Sequence, residues 1–340
     1  MAGKKTLKIG IIGAGRIGKL HTQNLATRIP QAEIAAIVDR DLKTAQQMAS
    51  KYHVKCALSD YRKILDDPKI DAVAIFTSTD THTDLIIAAA DAGKHIFCEK
   101  PIDQSLERVD KAIAAVRQAG VKCQIGFNQR FDSSIKRVKD LIKTGKIGEL
   151  QILRITSRDP APPPVSFIKS SGGMFLDMTI HDFDMAGHLA GSDVTEVYAS
   201  GGVMVDPLIG KAGDIDTAVI LLKFASGALG TIDNSRKAVY GYDKRVEAFG
   251  SGGMVTIANN PANAATYSSA KGVLTDKPTY FFLERYMDSY AAEMSEFVNA
   301  VLNYKPISMT AAESRKPVVI ALAANKSLRE NRPVRIREIK

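Results

Sequence analysis

Gly13-Ala14-Gly15-Arg16-Ile17-Gly18 stands between an apolar run rich in β-branched residues, 8–12, and a stretch with helical spacing of apolar residues, 18–27. A G-x-G-x-x-G pattern says little alone, but between a strand and a helix each glycine has a mechanical task. Gly13 permits a tight turn, Gly15 lets the backbone approach a pyrophosphate, and Gly18 allows close helix-on-strand packing. The helix N-terminus then attracts the anion. This context commits the chain to begin with a βαβ unit.

The commitment extends through the first third of the chain. Further buried strands are expected at 34–38, 72–76, 95–98 and 124–127, and amphipathic helices at 42–52, 81–92 and 106–119. Strict alternation of this kind builds a doubly wound parallel sheet, a Rossmann domain over 1–127. Beyond Phe127 the grammar changes. A helix at 133–143, a strand at 150–158 and the Pro-rich loop 160–164 precede strand-like segments at 196–201, 217–224, 228–233, 244–249 and 254–257, and helices at 286–302 and 311–329 close the chain. Successive strands joined by turn signals such as Gly250-Ser251-Gly252-Gly253 predict an open, mainly antiparallel sheet. The expected fold is therefore α/β followed by an α+β domain over 128–340, which would bind substrate.

Asp39 ends the second predicted strand, about 20 residues beyond the glycine loop, where a carboxylate accepts hydrogen bonds from an adenosine ribose. It favours NAD, and Arg40 beside it leaves NADP as a second cofactor. Thr77-Ser78-Thr79-Asp80-Thr81-His82 falls at the carboxyl edge of the sheet, where doubly wound folds bind ligands. Capping of the next helix by Thr79 or Asp80 explains the same residues. The expected cofactor contacts are Gly13, Gly15, Arg16, Ile17, Gly18, Asp39, Arg40, Thr77, Ser78, Thr79, His82, Glu99 and Lys100.

Glu99-Lys100-Pro101 lies just past the next strand, at the same edge. An ammonium there suits an oxygen that gains negative charge as a hydride leaves. Asp177, His181 and Asp184 recur at i, i+4 and i+7, which on one helix places them on one face among apolar residues. Histidine fits the removal of a hydroxyl proton, with Asp177 orienting the ring or binding a neighbouring hydroxyl. A structural histidine and a metal site made by Asp177, His181 and Asp184 are the other readings; a cationic Lys100 opposes the latter.

Together, Gly13-x-Gly15-x-x-Gly18, Glu99-Lys100-Pro101 and Asp177-x-x-x-His181 resemble the Gfo/Idh/MocA oxidoreductases over nearly the whole chain. Within that family the stretches 173–184, 233–236 and 239–243 look most like bacterial inositol 2-dehydrogenases. The resemblance implies that Lys100, Asp177 and His181 are catalytic. It also implies that a cyclic polyol, myo-inositol first, is oxidised to its ketone with NAD, and that the chain forms a homotetramer through the outer face of the second sheet. Asn128, Arg130, Asp184 and Tyr242, with Asp159 at the start of the loop 159–167, are the implied polyol-binding residues. Thr77-Ser78-Thr79 departs from the Pro-Asn pair that many relatives carry.

Composition excludes other classes. Hydrophobic residues at 45% and charged residues at 24% are those of a folded globular chain. The net charge of +9 comes from Lys and Arg spread singly along helices and from a basic tail, so neither nucleic acid nor a membrane surface is an expected partner. Cys56, Cys98 and Cys123 form no C-x-x-C pair, which predicts a reducing cytoplasm without disulfides or zinc. Arg16 and the glycines interrupt any signal-like run at the start, and no apolar stretch reaches the roughly 18 residues of a membrane span.

Overall fold

A computed structural model describes residues 6–259 and 261–340. It separates into two compact units, one made of Met1–Asn128 with Asp288–Lys316 and the other of Gln129–Met287 with Pro317–Lys340.

In the first unit, strands β1 (Leu7–Ile12), β2 (Ala32–Val38), β3 (Ala57–Leu58), β4 (Ala72–Ile75), β5 (His95–Glu99) and β6 (Cys123–Gly126) alternate with helices α1 (Arg16–Arg28), α2 (Leu42–Lys51), α3 (Arg62–Leu65), α4 (His82–Asp91) and α5 (Leu106–Ala119). The sheet order is β3-β2-β1-β4-β5-β6 and its pairs are parallel. The order reverses direction at β1, so the loop that carries the glycines leaves the sheet at its switch point, where a crevice opens. Central strands are covered on both faces, which is why β4 reads as a continuous apolar run, AVAI, buried at every position.

The second unit contains α6 (Ser133–Lys143), β7 (Leu150–Arg158), α7 (Val165–Ser171), α8 (Gly173–Asp177), α9 (Ile180–Ala190), β8 (Val194–Gly202), α10 (Pro207–Lys211), β9 (Thr217–Phe224), β10 (Leu229–Ser235), β11 (Asp243–Gly250) and β12 (Gly253–Ile257). A hairpin, β13 (Thr266–Ser269) and β14 (Gly272–Thr275), follows. Helices α11 (Phe282–Leu302) and α12 (Ala311–Glu330) each contribute residues to both units, and β15 (Val334–Arg335) ends the second sheet. That sheet runs β12-β11-β7-β10-β9-β8-β15.

The second sheet is mainly antiparallel as expected, with one parallel pair, and two other features depart from the sequence reading. The second sheet is mixed, because β10 lies parallel to β7 while its other pairs are antiparallel. The crossover through four helices and two strands that separates β7 from β10 gives the chain room to return in the same direction. The segment 288–316 packs with the first unit, where Met294, Phe297, Val298 and Val301 join a core with Ile9, Ile11, Ile37, Ala74 and Phe97. Finally, Asp177 and His181 are on two helices, α8 and α9, separated at Met178–Thr179, and not on one continuous helix. Among the described residues, no helix is long and apolar enough to cross a membrane.

Candidate active site

The glycine loop of the first unit is shaped by contacts that exclude side chains. Gly13 has φ of +104°, and a Cβ there would stand 2.7 Å from the Phe76 carbonyl carbon. At Gly18 a Cβ would lie 2.1 Å from the Gly13 carbonyl oxygen. Gly15, the N-cap of α1, has open space on its Cβ side. The loop is thus close-packed behind and clear in front, a cradle for an anion at a helix N-terminus. Arg16 opens α1, exposed, and Ile17 beside it is half-buried.

Asp39 closes this corner from β2. Its Oδ2 accepts the Ala14 N–H at 2.8 Å and its Oδ1 accepts the Asp41 N–H at 3.0 Å. A carboxylate has about four acceptor positions, so both oxygens keep capacity for ribose hydroxyls. Arg40 is exposed. Along the same edge, Ser78 caps a 3-10 turn over Thr79–Thr81, and the Thr77 and Thr81 hydroxyls bond each other at 2.6 Å.

His82 does a different job from the direct contact expected of it. It is 1% exposed, with Nδ1 2.8 Å from the Pro101 carbonyl oxygen and Nε2 3.1 Å from that of Thr77. Burial holds the imidazole below its usual pKa against the pull of those carbonyls. The ring ties the β4 exit to the Glu99-Lys100-Pro101 segment, so its contribution is to hold two main-chain segments in place. Glu99 ends β5 with its side chain 12% exposed, and Lys100 follows, half-buried.

The second unit assembles side chains from distant segments. Row by row, the register sets Ser157 of β7 beside Asn234 of β10 and Lys244 of β11. This buried polar row meets the start of α9. Asn234 Nδ2 donates to Asp182 Oδ2 at 2.8 Å, its Oδ1 accepts the Thr179 hydroxyl at 2.6 Å, and Lys244 Nζ pairs with Asp182 Oδ1. Thr179 and Asp182 bracket His181, so these bonds fix both the break between α8 and α9 and the orientation of the histidine. Asp177 and His181 remain half-buried where most neighbours are buried.

Arg236 follows β10 and is 1% exposed. Its Nη1 lies 3.4 Å from Asp177 Oδ2 and its Nη2 3.6 Å from Asp214 Oδ2, while Asp214 Oδ1 accepts the Met174 N–H at 3.0 Å. Arg130 grips Asp184 with a fork, Nε to Oδ2 at 2.9 Å and Nη2 to Oδ1 at 2.6 Å. His188, a turn further along α9, is pulled down to about 3 by burial and then by the Arg130 and Lys139 charges. Tyr242 is buried edge-on against Tyr286, with ring centroids 6.0 Å apart. Asp159 sits at the end of β7, held by main-chain bonds to Ser235 and Ala238. Asn128 ends the first segment of the first unit and is buried.

Residues 7–127 match the family described as "Oxidoreductase family, NAD-binding Rossmann fold", and residues 135–256 match the GFO/IDH/MocA C-terminal domain. The chain belongs to the Gfo/Idh/MocA oxidoreductase family. Myo-inositol 2-dehydrogenase of Thermotoga maritima is 46% identical over 98% of this chain and 99% of its own length. An uncharacterized oxidoreductase of Bacillus subtilis, YrbE, is 48% identical over 98% of this chain and 97% of its own. Among solved structures, scyllo-inositol dehydrogenase from Lactobacillus casei with bound NAD(H) and scyllo-inositol superposes with a TM-score of 0.91 at 33% identity, covering 98% of this chain and 100% of that one.

As a Gfo/Idh/MocA oxidoreductase the chain binds NAD in its first unit, and the open face of Gly15 and the unsaturated carboxylate of Asp39 fit that cofactor. Sequence reading did not single out Asp182, Asp214, Arg236 or Lys244 for any role, although each is wired to the Asp177–His181 segment. The signal available was an excess of charged residues in otherwise apolar strands and helices. Arg236 follows the strand run 229–235, Lys244 lies near the start of the run 243–250, and Asp182 lies between Ile180 and Phe183.

Proposed function

We propose that this oxidoreductase oxidises an inositol at one ring hydroxyl, taking myo-inositol to 2-keto-myo-inositol. What supports the reading is the pair Asp177 and His181, half-exposed on a segment whose other polar groups are consumed by buried partners, in a chain similar over nearly its full length to a myo-inositol 2-dehydrogenase. His181 accepts the hydroxyl proton. Asp177, steadied by Arg236, binds a neighbouring hydroxyl or the imidazole, and Lys100 donates to the substrate oxygen as its charge grows. Bound NAD supplies the acceptor for the hydride that leaves the same carbon.

Arg130, Asp184, Asp159, Tyr242 and Asn128 complete the polyol-binding set, with Arg130 and Asp184 acting as one rigid fork. A polyol demands such a site, since a misplaced hydroxyl leaves buried polar groups unpaired and is rejected strongly. The 1–127 segment serves the cofactor and 128–340, apart from the stretch 288–316 that packs with the first unit, the substrate and assembly. The outer face of the second sheet, where Val219 and Leu221 of β9 stand exposed with Leu229 and Phe249, is the surface for a homotetramer. The compartment is the reducing cytoplasm, and the role is entry into polyol breakdown.

The test is the rate of NADH appearance with purified protein, NAD and, in turn, myo-inositol, scyllo-inositol, D-chiro-inositol and glucose. Fast reduction with myo-inositol is expected. Preference for scyllo-inositol keeps the reaction and changes the epimer. NAD binding without turnover of any polyol overturns the proposal in favour of a dinucleotide-sensing protein.

A further inference from the structure

Beneath the carboxyl edge of the first sheet lies a cluster that the chemistry above leaves unused. His21 of α1, Glu99 at the end of β5 and Glu293 of α11, all in the first unit, bring their polar atoms within 4.8 Å of one another. His21 Nε2 is 2.9 Å from Glu99 Oε1 and 3.9 Å from Glu293 Oε1. The imidazole is fixed in place: it stacks on Phe76 with ring centroids 4.4 Å apart and planes 2° from parallel, and Phe97 and Tyr290 close its edges.

Glu99 is held from several sides. Besides His21, the Lys100 N–H donates to its Oε2 at 3.3 Å, and a Cβ on Gly126 would come within 3.1 Å of its carboxyl group. Glu293 is the opposite case. It is 0% exposed, and among the described residues neither of its carboxyl oxygens has a hydrogen-bond partner. An ionised carboxylate in such a place costs several kcal/mol, so the group is kept neutral instead. Burial raises its pKa well above the ordinary range, and the neighbouring carboxyls of Glu99 and Glu296 push the same way.

We propose that Glu293 is a proton-gated positioning residue of the cofactor site: while it carries its proton, His21 is left to Glu99, and Glu99 in turn steadies the main chain at Lys100. Loss of that proton creates a second anion competing for the single Nε2–H, and the imidazole is drawn from Glu99. The titratable groups around Glu293 are His21 from α1, Glu99 at the end of β5, and Tyr290 and Glu296 from α11. Cys98 and Cys123, in β5 and β6, stay protonated because burial pushes both thiols up. The device concerns the NAD half of the protein and is independent of which polyol is oxidised.

The sign of the pH effect follows from linkage. A carboxyl whose folded pKa is raised contributes stability below its unfolded value, about 4.3, and loses it as pH rises through the folded value. Glu293→Gln keeps the shape and removes the titration. Its melting temperature is expected to match wild type near pH 4 and to exceed it by a growing margin toward pH 9. NADH affinity, read by fluorescence without substrate, should be alike in both proteins at pH 6. By pH 9 it should be about tenfold weaker in wild type, the loss expected for one charge-assisted hydrogen bond. His21→Phe, which keeps the stack on Phe76, should bind NADH weakly at all pH values. Should the variants fail to fold, the infrared C=O stretch of a protonated carboxyl in wild-type protein at pH 7 supports the proposal, and its absence overturns it. Parallel stability curves for wild type and Glu293→Gln overturn it too, as does one equivalent of a tightly held divalent metal in wild type that Glu293→Gln loses.

Discussion

The two units build their candidate sites by different physical means. In the first, the groups we assign to the cofactor are largely main chain: a loop emptied of side chains at Gly13, Gly15 and Gly18, a helix N-terminus, and one carboxylate, Asp39, tied to the loop by the Ala14 N–H. In the second, the Asp177–His181 segment is held by side chains from other elements: Asn234 and Lys244 on Asp182, Arg236 on Asp177, and Arg130 on Asp184. A main-chain cradle tolerates variation in its surroundings. A buried side-chain network works only when complete, because removing one partner strands the others without hydrogen bonds. Buried ion pairs of this kind add little net stability and are better explained as positioning devices.

The sharpest way to break this contrast is at the histidine. His181→Ala should lower turnover by on the order of 10² to 10⁴, the range for a lost general base, while NADH binding in the first unit stays within about twofold. Stopped-flow rates and fluorescence titration read the two quantities separately. Wild-type turnover in the variant removes His181 from the mechanism, and a large loss of NADH affinity removes the division of labour.

A smaller effect sharpens the other side. Gly18→Ala forces a methyl to within 2.1 Å of the Gly13 carbonyl oxygen, so it should destabilise by about 1–3 kcal/mol or more as the loop shifts. Gly15→Ala meets nothing in the protein and should leave urea unfolding unchanged while weakening NADH binding, because its methyl occupies the ground of the pyrophosphate. Equal unfolding midpoints for the two variants would contradict the reading of the loop.

This difference also explains what the sequence made legible. Glycine spacing, the carboxylate at Asp39 and alternating apolar runs are local signals, and they announced the parallel sheet and its cofactor edge. Helix α6 and strands β7 and β9 were legible for the same reason, with alternation as regular as that of β9, where Ala218, Ile220 and Leu222 are buried between exposed neighbours. The rest depends on contacts between distant segments. The break between α8 and α9 is set by Thr179 bonding Asn234, 55 residues away, and Asp182 finds Lys244 across 62 residues. No period or spacing reports such pairings. The parallel placement of β10 on β7 and the return of residues 288–316 to the first core are likewise decisions of the whole chain.

The central claim, that a carbinol hydrogen of an inositol passes to NAD while the protein takes the hydroxyl proton, is tested most directly with myo-inositol deuterated at C2. Turnover should slow, and the reduced cofactor should carry the deuterium. Reduced cofactor free of deuterium, formed at the same rate as with unlabelled substrate, would contradict it.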